Sequence, residues 1–133
     1  MNNPGVYELA ALQLGAAMPQ SLLTPIINLD GMTAVTIDLD FKYGSGTGTA
    51  IAIVATSFDG GTTFRHIARF DLTVTKRVGQ CNLEGLLSKG ITTYADLDAE
   101  GVNDGVLGSQ LALILLTTGT YSNTSLAVHA SVR

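Results

Sequence analysis

The chain has 133 residues, enough for one domain whose core needs neither a disulfide nor a metal. Charged residues make up 14% and hydrophobic residues 46%, which predicts a surface poorer in charge than that of an isolated monomer. The net charge of -4 comes without a clustered basic patch, and this argues against partners such as nucleic acid or an anionic membrane.

Targeting and redox signals are sparse. The single cysteine, Cys81, cannot form an internal disulfide or a zinc site alone. Lys76 and Arg77 could lower its pKa, but a buried structural thiol is the favoured interpretation. No basic segment followed by an apolar run opens the sequence, and the apolar run at 111–116 is too short to span a bilayer. We therefore expect synthesis and folding in a cytoplasm.

The first 21 residues contain YELAALQLGAAM and predict either a short helix or an extended arm. They carry more apolar side chains than a disordered tail needs. The predicted organisation is thus an arm over 1–21 and a β-sandwich domain over 22–133. A chain without residues 1–20 is expected to stay folded and to bind its partner less well.

Two strands follow in chain order. Residues 33–41 alternate with a period of two, as in a half-buried strand. Residues 49–57 are apolar at nearly every position, which predicts a central strand covered on both faces. The segment 42–48 between them, KYGSGTG, lacks the spacing and the following helix of a nucleotide loop, so it predicts a hairpin connection. The buried face of the first strand is predicted to comprise Val35, Ile37, Leu39 and Phe41.

The stretch SFDGGTTF at 57–64 contains a carboxylate, glycines and hydroxyls, and could form either a turn or an ion site. Strand-like residues flank it on both sides, and Asp and Gly supply the positive φ angles of a tight hairpin turn. A cation at Asp59 would need charged ligands from other loops. The turn is the favoured interpretation. The following strand is predicted to present one face made of Phe64, His66, Ala68 and Phe70.

The C-terminal third repeats the pattern, with strands at 110–118 and 124–132 joined by the turn TGTYSN. Weaker strands are predicted at 22–29 and 77–83. Residues 84–108 form a long connection, with one helical turn near Leu86–Lys89, and such a connection suits a partner contact or a clamp over a sheet edge. Seven or so short strands predict an all-β, antiparallel, jelly-roll-like sandwich.

The acidic segment DLDAEGVND at 96–104 resembles the start of an EF-hand calcium loop. The closing glutamate of that loop is absent, because its position is occupied by Leu107, and no strong helix flanks the segment. A solvated acidic loop is the favoured interpretation, with weak cation binding as the alternative. No metal or other cofactor is predicted.

Catalytic residues are not predicted. His66 and His129 each lie in the middle of a predicted strand, and neither has a nucleophile elbow beside it. Asp38 and Asp40 share one strand face at a separation of roughly 7 Å, which glycoside hydrolysis could use. The sugar-stacking aromatics expected of such a cleft are lacking. The sequence therefore predicts no enzyme.

Two long segments resemble known proteins. The segment 33–70, which contains SFDGGTTF, and the segment 104–132, which begins DGVLG and contains TGTYSNTSL, are similar to small proteins encoded beside the major capsid gene of tailed phages and prophages. Some of those are jelly-roll cement, or decoration, proteins. The likeness covers about 33–132 and leaves the first residues uncertain.

The resemblance implies a structural virion protein on the capsid exterior, made in the host cytoplasm. It would form a homodimer or homotrimer, bridge neighbouring subunits of the major capsid protein and stabilise the expanded shell. Other virion sandwiches remain as alternatives: a head-fibre base, a tail component or a receptor- or glycan-binding module. The partner contacts expected from the sequence are Val6, Tyr7 and Leu9 in the arm, and Ile91, Tyr94, Leu97 and Val102 in the long loop.

Overall fold

A computed structural model describes residues 4–72, 75–86, 88 and 90–133. These residues form strands and connections, and none of them belongs to a helix that could cross a membrane. The helical turn expected at 86–89 falls partly on residues 87 and 89, which lie outside the described residues. The strands are β1 (Gly5–Leu14), β2 (Met18–Leu22), β3 (Ala34–Lys42), β4 (Ser45–Thr47), β5 (Ala50–Ser57), β6 (Arg65–Leu72), β7 (Arg77–Glu84), β8 (Gln110–Thr117), β9 (Thr120–Ser122) and β10 (Thr124–Val132).

Eight of the strands form two four-stranded antiparallel sheets. Sheet A has the order β1-β10-β3-β7, and sheet B has the order β2-β8-β5-β6. This is the strand order of a jelly roll, in which the chain alternates between two packed sheets. The predicted all-β sandwich is confirmed.

The core lies between the sheets and follows the period-two pattern of the strands. The predicted inner face of β3 is confirmed, because Val35, Ile37, Leu39 and Phe41 are fully buried. The inward residues of β10 are buried as well, while its alternate residues are partly exposed. Burying each of the Val, Leu, Ile and Phe side chains among them stabilises the fold by about 1.5–3 kcal/mol relative to leaving it in water.

The N-terminal segment is part of the sandwich, and the expectation of a helix or a separate arm is corrected here. Strand β1 pairs with β10 in sheet A, and β2 pairs with β8 in sheet B. Alternation in β1 places Leu9 and Leu14 in the core, and a bulge between Glu8 and Ala10 adjusts the register. Removing residues 1–20 would therefore strip an outer strand from each sheet, so the truncated chain is not expected to stay folded.

Two predicted hairpins are crossovers between the sheets. Strand β3 lies in sheet A and β5 in sheet B, so residues 43–49 pass from one sheet to the other. The same is true of residues 118–123, between β8 and β10. The two crossovers pair with each other through β4 and β9. Alternation within each strand was visible in the sequence, but the choice of pairing partner depends on residues far away in the chain.

The hairpin at 57–64 is confirmed, because β5 and β6 pair on either side of it. Gly60 and Gly61 have φ angles of 73° and 97°, which L-residues adopt at a cost. The Asp59 carboxylate accepts hydrogen bonds from the Thr63 N–H at 2.8 Å and the Ser57 hydroxyl at 3.0 Å. The bond from Thr63 contributes most to lowering the pKa of Asp59. The carboxylate thus closes the turn.

A β-bulge splits the face predicted for β6. Val54 pairs with Ala68, while the next residue, Ala55, pairs with His66. Paired residues share a face and neighbouring residues alternate, so Ala68 lies inward and His66 outward. The extra residue at the bulge is therefore what separates the imidazole from the core. The prediction of one continuous face for Phe64, His66, Ala68 and Phe70 is wrong.

The two weaker strand predictions, at 22–29 and 77–83, had different outcomes. Residues 77–83 fall within β7, as expected. In the segment 22–29 only Leu22 belongs to a strand, and beyond it Ile26 forms a single bridge with Leu111. Pro25 lies directly before that bridge and cannot donate a ladder hydrogen bond, which fits the interruption.

Candidate functional site

The long loop is hydrogen-bonded along the outer edge of β6. The Arg69 N–H donates to the Gly101 carbonyl at 3.0 Å, and the Asn103 N–H donates to the Ile67 carbonyl at 2.8 Å. Val102 sits between these bonds, opposite Ala68. The loop provides hydrogen-bond partners for backbone groups that an exposed edge strand would leave unpaired. This agrees with the prediction that residues 84–108 form a clamp over a sheet edge.

Tyr94 and His66 join the loop to the sheet through two hydrogen bonds, and a third bond lies within the loop. The Tyr94 hydroxyl accepts from the His66 N–H and donates to Asp96 Oδ1, both at 2.8 Å. The Leu97 N–H donates to His66 Nδ1 at 3.3 Å. Nδ1 is thus an acceptor, and the neutral ring carries its proton on Nε2, 3.7 Å from Asp96 Oδ1.

The electrostatics of this junction favour a neutral imidazole. Burial lowers the pKa of His66, and the nearby Asp96 only partly opposes the shift. Burial also raises the pKa of Tyr94, so its hydroxyl keeps the proton that it donates. Two arginines fix the remainder of the loop. Arg69 donates to the Leu97 carbonyl at 2.9 Å and pairs with Asp71, and Arg77 forms a two-point ion pair with Glu100.

A cavity of about 310 Å³ opens beside this junction. The guanidinium carbon of Arg65 lies 4.8 Å from the centre of the Tyr94 ring, a cation–π contact. Arg65 has no carboxylate partner among the residues that the structure describes. The cavity therefore combines apolar walls with one cation that is available to a ligand. Its lining comprises Phe58, Ile91 and Val106, with Arg65, His66, Tyr94 and Asn103.

The expected contacts in the long loop lie close together. Ile91 and Tyr94 line the cavity, and Leu97 and Val102 attach the loop to β6. Ile91 and Val102 are exposed. Sequence reasoning missed Phe58, which is 60% exposed at the cavity rim. Its signal was an aromatic residue directly before a tight turn, where a side chain rarely reaches the core.

The expected contacts near the N-terminus do not form one surface. Val6 is 69% exposed on the outer face of β1. Tyr7 packs against the core, and Leu9 is a core residue that is 4% exposed. Leu9 is therefore removed from the candidate contact surface, because alternation along the strand turns it inward.

The outer faces of the two sheets differ in polarity. On sheet A, β3 presents Thr36, Asp38 and Asp40 next to the serines and His129 of β10. On sheet B, the central strands β5 and β8 end in the polar pair Ser57 and Gln110, and their other outward positions are aliphatic or small: Ile51, Ile53, Ala55, Ala112, Ile114 and Leu116. We call these six residues the aliphatic face. Ile53, Ala55 and Ile114 form a small cluster of their own, against which Ile51 and Phe64 pack.

The acidic segment divides its carboxylates among separate partners. Asp96 accepts from Tyr94, Glu100 pairs with Arg77, and Asp104 accepts from the N–H groups of Glu84 and Gly105. Across the described ranges, no three His, Cys, Asp or Glu side chains are gathered as metal ligands.

The other chemical candidates have ordinary surroundings. Asp38 accepts from Gln80 at 2.9 Å, and Asp40 lies 3.8 Å from Lys42. His129 lies 3.9 Å from Glu8 on the outer face of sheet A. Burial, followed by the negative charge of Asp104, raises the pKa of Cys81, contrary to the lowering that nearby bases could have produced.

Compared with models of protein families, with curated proteins and with solved structures, the chain shows no significant match.

Proposed function

We propose that the protein is a structural virion protein that binds the outside of a phage capsid. It bridges neighbouring subunits of the major capsid protein, stabilises the expanded shell and acts without chemistry. In this proposal it associates with itself as a small oligomer and resides on the capsid exterior.

The observation that carries the proposal is the exposed apolar rim on a loop fixed in place. Phe58 and Ile91 are exposed at the cavity, and Val102 is exposed nearby. The loop that carries Ile91 and Val102 is bonded to β6 at several points. A contact surface that is already ordered loses little conformational entropy when it docks. Such a surface suits a wide, shallow contact with another protein.

The cavity also accounts for selectivity. A side chain from a capsid subunit could place an apolar portion against Phe58 and Ile91 and a carboxylate against Arg65. Charged groups at the rim of a protein contact contribute mainly to orientation and partner choice. The jelly roll supports the proposal only by analogy, because viral capsid proteins, lectins and cupins all use this fold.

Among the alternatives, the cavity favours a glycan-binding module most. Sugars stack on exposed aromatic rings, and the lining contains the exposed Phe58 and the half-buried Tyr94. One face of the Tyr94 ring is covered by the Arg65 guanidinium. This arrangement favours an acidic protein side chain over a neutral sugar.

The direct test is co-sedimentation with expanded, undecorated capsids of the phage that encodes the protein. The expected result is saturable binding at a fixed ratio to the major capsid subunit. Binding that does not saturate, or no binding at all, would contradict the proposal. A glycan array would then test the alternative.

Variants locate the contact. Ile91→Asp places a charge at the exposed rim and should weaken capsid binding by on the order of a hundred-fold, while the free energy of unfolding changes little. The matched control is Val78→Asp, because Val78 is 70% exposed on the outer edge of sheet A. It should bind as the wild type does. A third variant, Val6→Asp, shows whether the outer face of β1 also takes part.

A further inference from the structure

We infer that the open edge of β1 binds an extended segment of a partner protein, which adds to the four-stranded sheet A as a further strand. The segment alternates apolar and polar side chains and carries a basic residue that lies near Glu8. This inference deepens the proposed function and rests on it only for the source of the segment, a subunit of the major capsid protein. The contact is separate from the cavity beside the long loop, so either contact can fail alone.

The backbone of β1 offers hydrogen-bonding groups on the side that faces away from β10. Arg133, directly after β10, exchanges both backbone hydrogen bonds with Ala34 of β3. Because the direction of the backbone groups alternates along a strand, the odd-numbered residues of β10 bond to β3 and the even-numbered ones bond to β1. Ala11 and Gln13 lie opposite odd-numbered residues of β10. Their N–H and C=O groups therefore point outward, and no partner for these groups lies there among the residues that the structure describes.

The other edges of sheets A and B are covered or interrupted. The long loop covers β6, and the Asp104 carboxylate accepts from the outward N–H of Glu84 on β7. Strand β2 is short and contains Pro19 and a register shift. In β1 the bulge lies before Ala10, and residues 10–14 contain neither a charge nor a proline. An edge without such protection is open to pairing with another strand.

A groove of about 340 Å³ lies along this edge. Residues 8–12 of β1 line one side of it without a break. Side chains alternate between the two faces of a strand, so a groove that meets every residue of such a run lies at the edge of the strand. The other side consists of Leu23, Thr24 and Ile26, and both Leu23 and Ile26 pack against the core. An added strand would bond to β1 and place alternate side chains on this apolar wall.

The lining also indicates which segment fits. Among the residues that line the groove, Glu8 is the one with a charged side chain, and its carboxylate favours a lysine or an arginine in the segment. A second copy of β1 does not fill the groove, because its own inward side chains, Leu9 and Leu14, are packed in its core. A segment with no core of its own can supply apolar side chains to the wall. The occupant is therefore a free extended segment.

Selection of random short peptides on the immobilised full chain tests the inference without the capsid. The selected peptides should alternate apolar and polar residues and contain a basic residue. Ala11→Pro should weaken their binding by on the order of ten- to a hundred-fold, because it removes an outward N–H and places the proline ring on the edge, while the bonds between β1 and β10 remain. Thr24→Trp should weaken binding similarly, because the indole fills the groove. Thr24 is exposed, so this second variant covers the case in which Ala11→Pro fails to fold.

Val78→Pro is the matched control. Val78 is an even-numbered residue of β7, as Glu84 is, so its N–H points outward on the opposite edge of sheet A. This variant should bind the peptides as the wild type does. The inference is overturned if no peptide is selected, or if the peptides bind the Ala11→Pro and Thr24→Trp variants as tightly as the wild type. It is also overturned if Ala11→Pro abolishes a self-association of the wild type, since a second copy would then occupy the edge.

Amide hydrogen exchange followed by NMR examines the edge itself. In the free protein the amides of Ala11 and Gln13 should exchange faster than that of Leu12, which bonds to β10. A saturating amount of a selected peptide should slow the exchange at Ala11 and Gln13. Slow exchange of these two amides before any peptide is added would show that the edge is already covered and would contradict the inference.

Co-sedimentation with capsids separates the two proposals. Peptide binding at the edge without capsid binding would support the edge contact and remove the capsid subunit as the source of the segment. Capsid binding by a protein that selects no peptide would overturn the edge contact and leave the proposed function standing.

Discussion

The imidazole of His66 connects the loop to the sheet through an acceptor atom. Its Nδ1 receives the Leu97 N–H, and its own backbone N–H is held by the Tyr94 hydroxyl. A protonated ring would carry a proton on Nδ1 and could no longer accept from Leu97. The charge state of one side chain therefore decides whether this part of the loop remains bonded.

We predict that the stability of the protein falls as the pH drops below about 6.5, the unperturbed value for histidine. The pKa of His66 is lowered in the folded state, so the unfolded chain takes up a proton first, and the stabilisation is lost as the pH falls through the folded pKa. Urea unfolding from neutral to mildly acidic pH measures this slope. His66→Gln should flatten the slope, whereas His129→Gln should retain it. An unchanged slope in His66→Gln would contradict the assignment.

Residue roles were only partly visible in the sequence. The turn at Asp59 was predictable, because its cause lies within a few residues of it. The outward direction of His66 was not, because it depends on a bulge that shifts the pairing by one residue. The exposure of Phe58 had a local signal in the turn that follows it, but its contribution to the cavity depends on a loop more than thirty positions away.

At the scale of elements, strand β1 packs one face against the core and exposes its other face to solvent. We predict that Leu9→Ala lowers the free energy of unfolding by about 2–5 kcal/mol, since it opens a cavity in the core. Val6→Ala, three residues earlier on the outer face, should change it by less than about 0.5 kcal/mol. Urea denaturation of both variants checks this. Equal and small effects would mean that β1 is not docked in solution.

The crossovers depend on glycine where their backbones meet. Gly46 has a φ of 118°, and a Cβ there would overlap the carbonyl oxygen of Thr120. Gly46→Ala is predicted to cost more than about 2 kcal/mol, from backbone strain together with the overlap. Gly15→Ala is the control, because a Cβ at Gly15 meets nothing within 4 Å. It should change stability by no more than about 1 kcal/mol. Thermal unfolding followed by circular dichroism compares the two.

For the whole molecule, the order of the strands governs how the chain folds. Among the paired strands described, only β5 and β6 adjoin in sequence as a hairpin, and the other partners are distant along the chain. The sequence predicted most strands, since alternation is local. It did not predict the crossovers, because pairing partners are selected by closure of the two sheets.

Refolding is therefore predicted to take milliseconds to seconds, as in other sandwiches with mostly non-local pairing. Tyrosine fluorescence in a stopped-flow experiment can follow it, because Tyr121 becomes buried on folding. A single phase complete within microseconds would show that local contacts dominate.

The closed turn at Asp59 also bears on the chemical lifetime of the protein. An aspartate followed by glycine rearranges to isoaspartate when the next backbone nitrogen attacks the side-chain carbonyl carbon, and the protonated acid reacts more readily than the carboxylate. Here Thr63 and Ser57 hold the carboxylate, its pKa is lowered, and Gly60 is fixed at a φ of 73°. The folded turn therefore keeps the Asp59 carboxylate ionised and restricts the approach of the Gly60 nitrogen to the Asp59 side chain. The isoaspartate content at residue 59 would therefore increase with the time that the molecules have spent unfolded.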